Sequence, residues 1–238
     1  MTLSKLIAAG VLASALASAA SADTILSTDF SGVATSGNTM TNIAWTTNGV
    51  ADAGDLSVTS FDFNASPVAA GFHAQAASLG FFAVDLNIHN EGSWFVEVPL
   101  LVAGNGLDLD SVSFDVFSLA NSGVFQQGGK RDVDITVSVI ETLGGSTLYT
   151  SDFLNVQDYN ASIGGPYTVT ADLTGVSLSA NTAYSLVLTA FSNETLGNNA
   201  GLDNLVLSGS VAAVPVPAAG LVLAGGLGAL AMIRRRKA

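Results

Sequence analysis

The stretch Asp132-Val133-Asp134-Ile135-Thr136-Val137-Ser138-Val139-Ile140 alternates charged or hydroxyl side chains with branched aliphatic ones. In an extended backbone successive side chains point to opposite faces. Val133, Ile135, Val137 and Val139 therefore share one side, and Asp132, Asp134, Thr136 and Ser138 the other. This is the pattern of an antiparallel strand with one face on a core and one in water. Shorter runs follow the same rule: Val84, Leu86 and Ile88; Val112, Phe114 and Val116; Tyr167 and Val169; Tyr184, Leu186 and Leu188; Leu205 and Leu207. Turn signals separate them at Gly104-Asn105-Gly106, Gly128-Gly129, Gly144-Gly145, Gly164-Gly165-Pro166 and Asn198-Asn199-Ala200-Gly201. No 3.6-residue stripe persists between Asp23 and Ser210, and no repeat period is visible. The expected fold is all-β over residues 23–210: an antiparallel β-sandwich, jelly-roll-like, rather than a βαβ enzyme.

Charge and composition restrict what such a domain can do. The chain has 238 residues, with 19 acidic against seven basic side chains, two histidines and no cysteine. Five of the basic residues sit at the ends: Lys5, Arg234, Arg235, Arg236 and Lys237. Between Asp23 and Val214 all 19 acids face only Lys130 and Arg131, a net charge of −17. Nucleic acid is excluded as a partner, because phosphate binding rests on Lys and Arg releasing counterions, and this field repels phosphate. The missing cysteines exclude a disulfide framework, a thiolate zinc site and a cysteine nucleophile. Scattered aspartates on solvent-facing strand positions keep an exported domain soluble, and divalent cations are the alternative company for them.

The first 22 residues, MTLSKLIAAGVLASALASAASA, carry an early lysine, an apolar run from Leu6 to about Ala17, and small residues closing on Ala20-Ser21-Ala22. That is the layout of a secretory signal peptide helix, with cleavage expected between Ala22 and Asp23. At the other end, Val211 to Ile233 contains no charged residue, and Arg234, Arg235, Arg236 and Lys237 follow it. Those 23 residues suffice to cross an apolar layer of about 30 Å as a helix at about 1.5 Å per residue. The basic stop stays in the cytoplasm by the positive-inside rule, which leaves the acidic domain on the far side, in agreement with the signal peptide.

The motif Val214-Pro215-Val216-Pro217-Ala218, the glycine-rich apolar helix expected over about 214–233 and the basic tail 234–238 together resemble the PEP-CTERM group of bacterial sorting signals, in its VPLPA-CTERM variant. Val216 stands where that variant has leucine, a conservative departure. The resemblance covers about the last 25 residues. It implies processing by an exosortase-like membrane protease after signal peptidase has acted. The chain would be membrane-anchored by its C-terminal helix before processing, then released to the cell surface or extracellular matrix. It implies no activity for the domain.

Inside the domain, Thr24–Gly32 and Gly201–Leu207 look like the first and last strands of carbohydrate-binding jelly rolls, in which the terminal strands are neighbours and often share a structural calcium. If that carries over, Asp29 and Asp203 are candidate oxygen ligands, against the plainer reading of a turn residue and a polar strand face. Gly104-Asn105-Gly106-Leu107-Asp108-Leu109 fits one unit of a calcium-binding repeat, but that architecture needs tandem copies, so a hairpin loop is expected. Asp108, Asp110 and Asp115 lack the glycine and final glutamate of an EF-hand loop. Glu91, Glu97, Glu141 and Glu194 are the only glutamates from which a glycosidase pair could draw. His73 and His89 have no G-x-S-x-G serine to serve. Trp45 and Trp94 suit stacking on a sugar ring or a place in the core. The expectation is a non-catalytic structural or adhesive surface protein, with no catalytic, metal or cofactor-binding residue assigned. The alternatives are a carbohydrate-binding module with a structural calcium, for which polysaccharide is the partner, and a polysaccharide hydrolase.

Overall fold

In the computed structural model the described residues are 23–61, 67–68, 71–72, 80–84, 88, 92–119, 133–157, 166–192 and 199–212. The expected signal peptide helix over residues 1–22, the sorting signal 214–238 with its transmembrane helix, and His73, His89, Glu91, Glu194, Lys130 and Arg131 lie outside them. No helix of the described residues is long and apolar enough to cross a membrane.

Strands dominate what is described. They are β1 (Asp23–Thr28), β2 (Ala34–Ser36), β3 (Thr39–Thr41), β4 (Thr46–Thr47), β5 (Ala51–Ala53), β6 (Leu56–Phe61), β7 (Pro67–Val68), β8 (Phe82–Ala83) and β9 (Ser93–Val102). After a turn at Gly104 come β10 (Leu107–Leu119), β11 (Val133–Glu141), β12 (Thr147–Gln157), β13 (Tyr167–Asp172), β14 (Ser177–Leu178), β15 (Thr182–Phe191) and β16 (Asn199–Val211). One sheet runs β13-β10-β16-β1-β4, with β14 also on β10 and β8 on β16. The other runs β12-β11-β15-β9-β6-β3-β2, with β5 on β9 and β7 on β6. Every strand pair is antiparallel.

The alternation read from the sequence sets which faces meet. Val133, Ile135, Val137 and Val139 are buried on β11. They join one cluster with Val96 and Val98 of β9, Leu186 and Leu188 of β15, Val112 and Phe114 of β10, and Leu205 and Leu207 of β16. Both sheets supply this core, so the domain is a β-sandwich. Each such side chain contributes about 1.5–3 kcal/mol over its exposed state. A second, smaller cluster of Phe81, Ala83, Phe117 and Leu119 is separate from it. Phe117 and Leu119 are out of phase with the core-facing Val112, Phe114 and Val116, which puts them on the outer side of their sheet.

The registers also place the connections. Short turns at 103–106 and 142–146 close one end of the sandwich, with Gly104 at φ +64° and Gly145 at φ +64° supplying left-handed backbone. The Gly104 segment, expected to be a hairpin loop, instead crosses from one sheet to the other, since β9 and β10 belong to different sheets and do not pair with each other. The strand ends that flank residues 120–132, 158–165 and 193–198 all lie at the opposite end.

Four further details differ from the sequence reading. Asn199, Ala200 and Gly201, expected in a loop, open β16 opposite Leu119, Ser118 and Phe117. A Cβ on Gly201 would meet Leu119 Cδ1 and the Phe82 carbonyl oxygen at 2.8 Å each, so this glycine answers a close approach of strands. Asp134, expected on the wet face, is only 1% exposed. In the run around Val84 the strand within the described residues is only Phe82–Ala83, and Val84 makes an isolated bridge to Phe72. Finally, β16 continues to Val211, opposite Leu107, and the Ala212 amide donates to the Gly106 carbonyl at 2.8 Å. The sandwich therefore extends past residue 210.

Strands β9 and β12 carried no expectation at all. In β9, Trp94, Val96, Val98, Leu100 and Val102 alternate inward, but Phe95, Pro99 and Leu101 on the other face blur the pattern. Pro99 is tolerated because it lies where β9 exchanges one partner for another: pairing with β6 ends at Ser57–Glu97 and pairing with β5 begins at Ala53–Leu100.

Candidate functional site

The two terminal strands are neighbours, as the resemblance to carbohydrate-binding jelly rolls implied. Strand β1 pairs β16 from Asp23–Gly209 to Thr28–Leu205. Beyond Thr28 the chain turns sharply. The Phe30 amide donates to Thr28 Oγ1 at 3.1 Å, and the Ser31 amide to the Asp29 carboxylate at 3.0 Å. Phe30 adopts φ +52° while fully buried, an unfavourable conformation held by packing: its ring meets Phe82 edge-on at 4.8 Å. This turn carries Asp29 over the outer face of β1 and β16. There a cavity of about 450 Å³ is lined by Ser27, Thr28, Asp29, Ala44, Thr46, Asn204 and Val206.

Asp203 stands directly opposite Asp115 across the β10–β16 ladder. Like charges in such a pair repel. A β-bulge between Ser113 and Asp115 marks the place, and the next residue, Asn204, has φ +50°. Asn204 then bridges the pair: its amide nitrogen donates to Asp203 Oδ1 at 2.7 Å, and its Nδ2 to Asp115 Oδ2 at 2.9 Å. The other Asp115 oxygen accepts Thr168 Oγ1 at 2.6 Å. Partial burial pushes the Asp203 carboxyl up to about 6, with Asp115 and then Asp29 adding repulsion and the Asn204 amide opposing.

The described residues contain no Lys, Arg or His, so their carboxylates find other donors. Hydroxyls on the adjacent strand serve: Ser177 donates to Asp108 at 2.6 Å and Thr136 to Asp152 at 2.6 Å, as Thr168 does to Asp115. Such charge-assisted bonds are short and strong. Among the described residues no group of three or more Asp, Glu or His is placed to hold a metal ion. Asp29 lies near enough to Asp203 to add to the repulsion on its carboxyl.

The tryptophans divide. Trp94 is fully buried in the core, with its ring edge-on to Phe82 at 6.3 Å, which removes it from any sugar-stacking role. Trp45 is half-buried, 6.3 Å from Phe30, and its Nε1 donates to the Gly54 carbonyl at 3.0 Å. An aromatic surface does exist, on residues the sequence reading passed over. Phe61 and Phe95 stack at 5.6 Å and 21° on the outer face of the second sheet, with Thr59 and Thr189 opposite Phe95 on its two neighbouring strands. Phe61 is the last residue of its alternating strand, which is the signal that could have found it. Glu97 and Glu141 lie on β9 and β11.

The Asp203 environment gives a pH prediction with a definite sign. Its folded value lies above the ordinary 3.8, so the ionised form is the unfavourable one in the fold. Stability is fully present below about pH 3.8, falls as pH rises to about 6, and stays at the lower level above that. Asp203→Asn is expected to stabilise the domain at pH 7.5 and to have no such effect at pH 3.5. Because the group is half-exposed, solvent screening limits the gain to about 1 kcal/mol. Urea melts of both chains at the two pH values measure it. A gain that is equal at both, or absent at pH 7.5, contradicts the electrostatic account.

No protein-family model matches this chain, and no curated protein sequence does. Among solved structures it is similar to the family 11 carbohydrate-binding module of the cellulosomal cellulase Lic26A-Cel5E of Clostridium thermocellum, at 11% identity over 83% of this chain and 100% of that one, TM-score 0.33. It is similar also to the K3 cleaved adhesin domain of Lys-gingipain from Porphyromonas gingivalis w83, at 14% over 79% and 99%, TM-score 0.31. A third is the Arthrobacter globiformis T6 isomalto-dextranase complexed with panose, at 16% over 78% of this chain and 32% of that one, TM-score 0.33. At these TM-scores the likeness is too loose to carry the ligand or role of any of them to this chain.

Proposed function

We propose that this chain is the precursor of an exported, non-catalytic jelly-roll module with a structural or adhesive role, sorted to the cell surface or extracellular matrix by an exosortase-like system. The observation that carries the reading is that the described sandwich fits between the two expected processing sites. Its strands lie within residues 23–211, and the last of them ends at Val211, just before the Val214–Ala218 motif. Strands β1 and β16 are inner strands of one sheet, locked to each other, so trimming either flank leaves every strand pair among the described residues intact. Strand order supports the jelly-roll form. With β1, β9, β10, β11, β12, β13, β15 and β16 counted one to eight, the sheets read 1-8-3-6 and 2-7-4-5.

Intact mass and fractionation in the native host, with and without deletion of Val214 to Ala238, test this. The mature chain is expected outside the inner membrane, lacking residues 1–22 and the tail, and the deletion is expected to change where it ends up. A full-length tail retained in an inner-membrane protein would refute the sorting.

One observation favours a second reading, binding of a polysaccharide. The stacked Phe61–Phe95 pair offers aromatic surface flanked by hydroxyls, the composition that suits an apolar sugar face. Glycan-array binding abolished by Phe95→Ala, with the urea midpoint corrected for, would support it over a purely structural role.

A further inference from the structure

We propose that the free edge of β12 pairs antiparallel with β12 of a second copy of this chain, in the register that sets Ser151 opposite Ser151. Strand β12 is an end strand of its sheet, bonded to β11 on one side, with no strand of the described residues on the other. Soluble proteins blunt such edges with lysine, proline or very short strands. This one is 11 residues long and contains no lysine or proline. Its exposed face instead presents Leu148 and Leu154, 39% and 58% exposed, and Leu143 in the preceding turn is 88% exposed. These are three of the five large hydrophobic residues that the described surface exposes. The β11–β12 pairing is regular from Tyr149 to Phe153, and its irregularities lie at either end, so the middle of the edge is straight ladder.

The sequence of the strand selects its own image as occupant. Centred on Ser151, an antiparallel pair sets Leu148 against Leu154, Tyr149 against Phe153, and Thr150 against Asp152, each twice about the twofold axis. Tyr149 and Phe153 already pack against the core of their own copy, so their contact would carry the two cores toward each other. Registers one step away that keep the same faces together are worse. Centring on residue 152 sets Asp152 against itself, and centring on residue 150 sets Asp152 against Leu148. Asp152 is the strand's one charged residue, and its carboxylate is turned toward β11, where it accepts Thr136 Oγ1. The acidic surfaces of two copies repel over longer range, so added salt strengthens the pairing.

The absence of cysteine makes the test clean. In the full chain, Ser151→Cys is expected to form an oxidised dimer at least about tenfold faster than Thr150→Cys or Asp152→Cys, because only position 151 meets itself, while the others face their own images diagonally at about 7–8 Å. Adding Leu154→Lys to Ser151→Cys is expected to cut that rate by about tenfold or more, with the circular dichroism spectrum unchanged since Leu154 lies at the surface. Higher salt is expected to raise the rate. Equal rates at the three positions, a Ser151→Cys rate indifferent to Leu154→Lys, or crosslinking only to a different protein each overturn the proposal.

Discussion

Replacing Trp94 by alanine is expected to cost about 3–5 kcal/mol of folding stability, a large share of the 5–15 kcal/mol that a domain possesses. The side chain is fully buried and sits where the two sheets come together. On one side it adjoins Ser60 of β6 and on the other Ala190 of β15, and across the core its ring meets Phe82, which in turn meets Phe30 and Phe72 edge-on. Truncation removes the largest member of this aromatic group and the partner of Phe82 on the opposite sheet, and strands held by long ladders cannot close over the space. Trp94→Phe is expected to cost much less, within about 1.5 kcal/mol, because it keeps most of the apolar volume and the indole Nε1 has no hydrogen-bond partner among the described residues. Urea midpoints for the two variants measure the contrast. Similar losses from both would mean that the indole nitrogen, not the volume, matters.

Gly209→Ala is expected to destabilise by about 2–3 kcal/mol, opposite to the preference of strands for alanine over glycine. Gly209 lies on β16 between β1 and β10, opposite Asp23 and Leu109. A Cβ there would sit 2.5 Å from the Asp108 carbonyl oxygen and 3.1 Å from the Leu109 Cα. Both are backbone atoms of the adjacent strand, where no rotamer change gives relief. The ladder must open, and the β1–β16–β10 arrangement that holds both ends of the domain opens with it. Slower unfolding of the parent than of Gly209→Ala in stopped-flow urea jumps, with hydrogen exchange rising first in β10 and β16, checks this. An unchanged urea midpoint would mean that the strands shift apart at little cost.

How much of this was legible before the fold was known depends on the range of the information. Burial of Val133, Ile135, Val137 and Val139 was legible because strand periodicity is local: each residue's face follows from its neighbour's. Strand β9 was hidden because Phe95, Pro99 and Leu101 put apolar groups on its outer face as well. The loop reading of Asn199–Gly201 failed for a related reason. Glycine marks both turns and close strand approaches, and only the nearness of Leu119 and Phe82 tells which. For the candidate site, Asp29 and Asp203 were singled out through the resemblance of the terminal segments to those of carbohydrate-binding jelly rolls. Asp115, which changes their chemistry, was not.

From its residues alone the chain determined an all-β domain of strongly acidic character, the inward set of several strands, and the turn at Gly104. These follow from composition and from alternation over a few residues. Only the tertiary structure decided that Asp203 faces Asp115, that Asn204 bridges to a carboxylate 89 residues away, that Trp94 belongs to the core, and that β12 is left at an edge. Each of these depends on which strands become neighbours. That choice is made by the packing of two whole sheets, since each strand's own pattern is compatible with many partners.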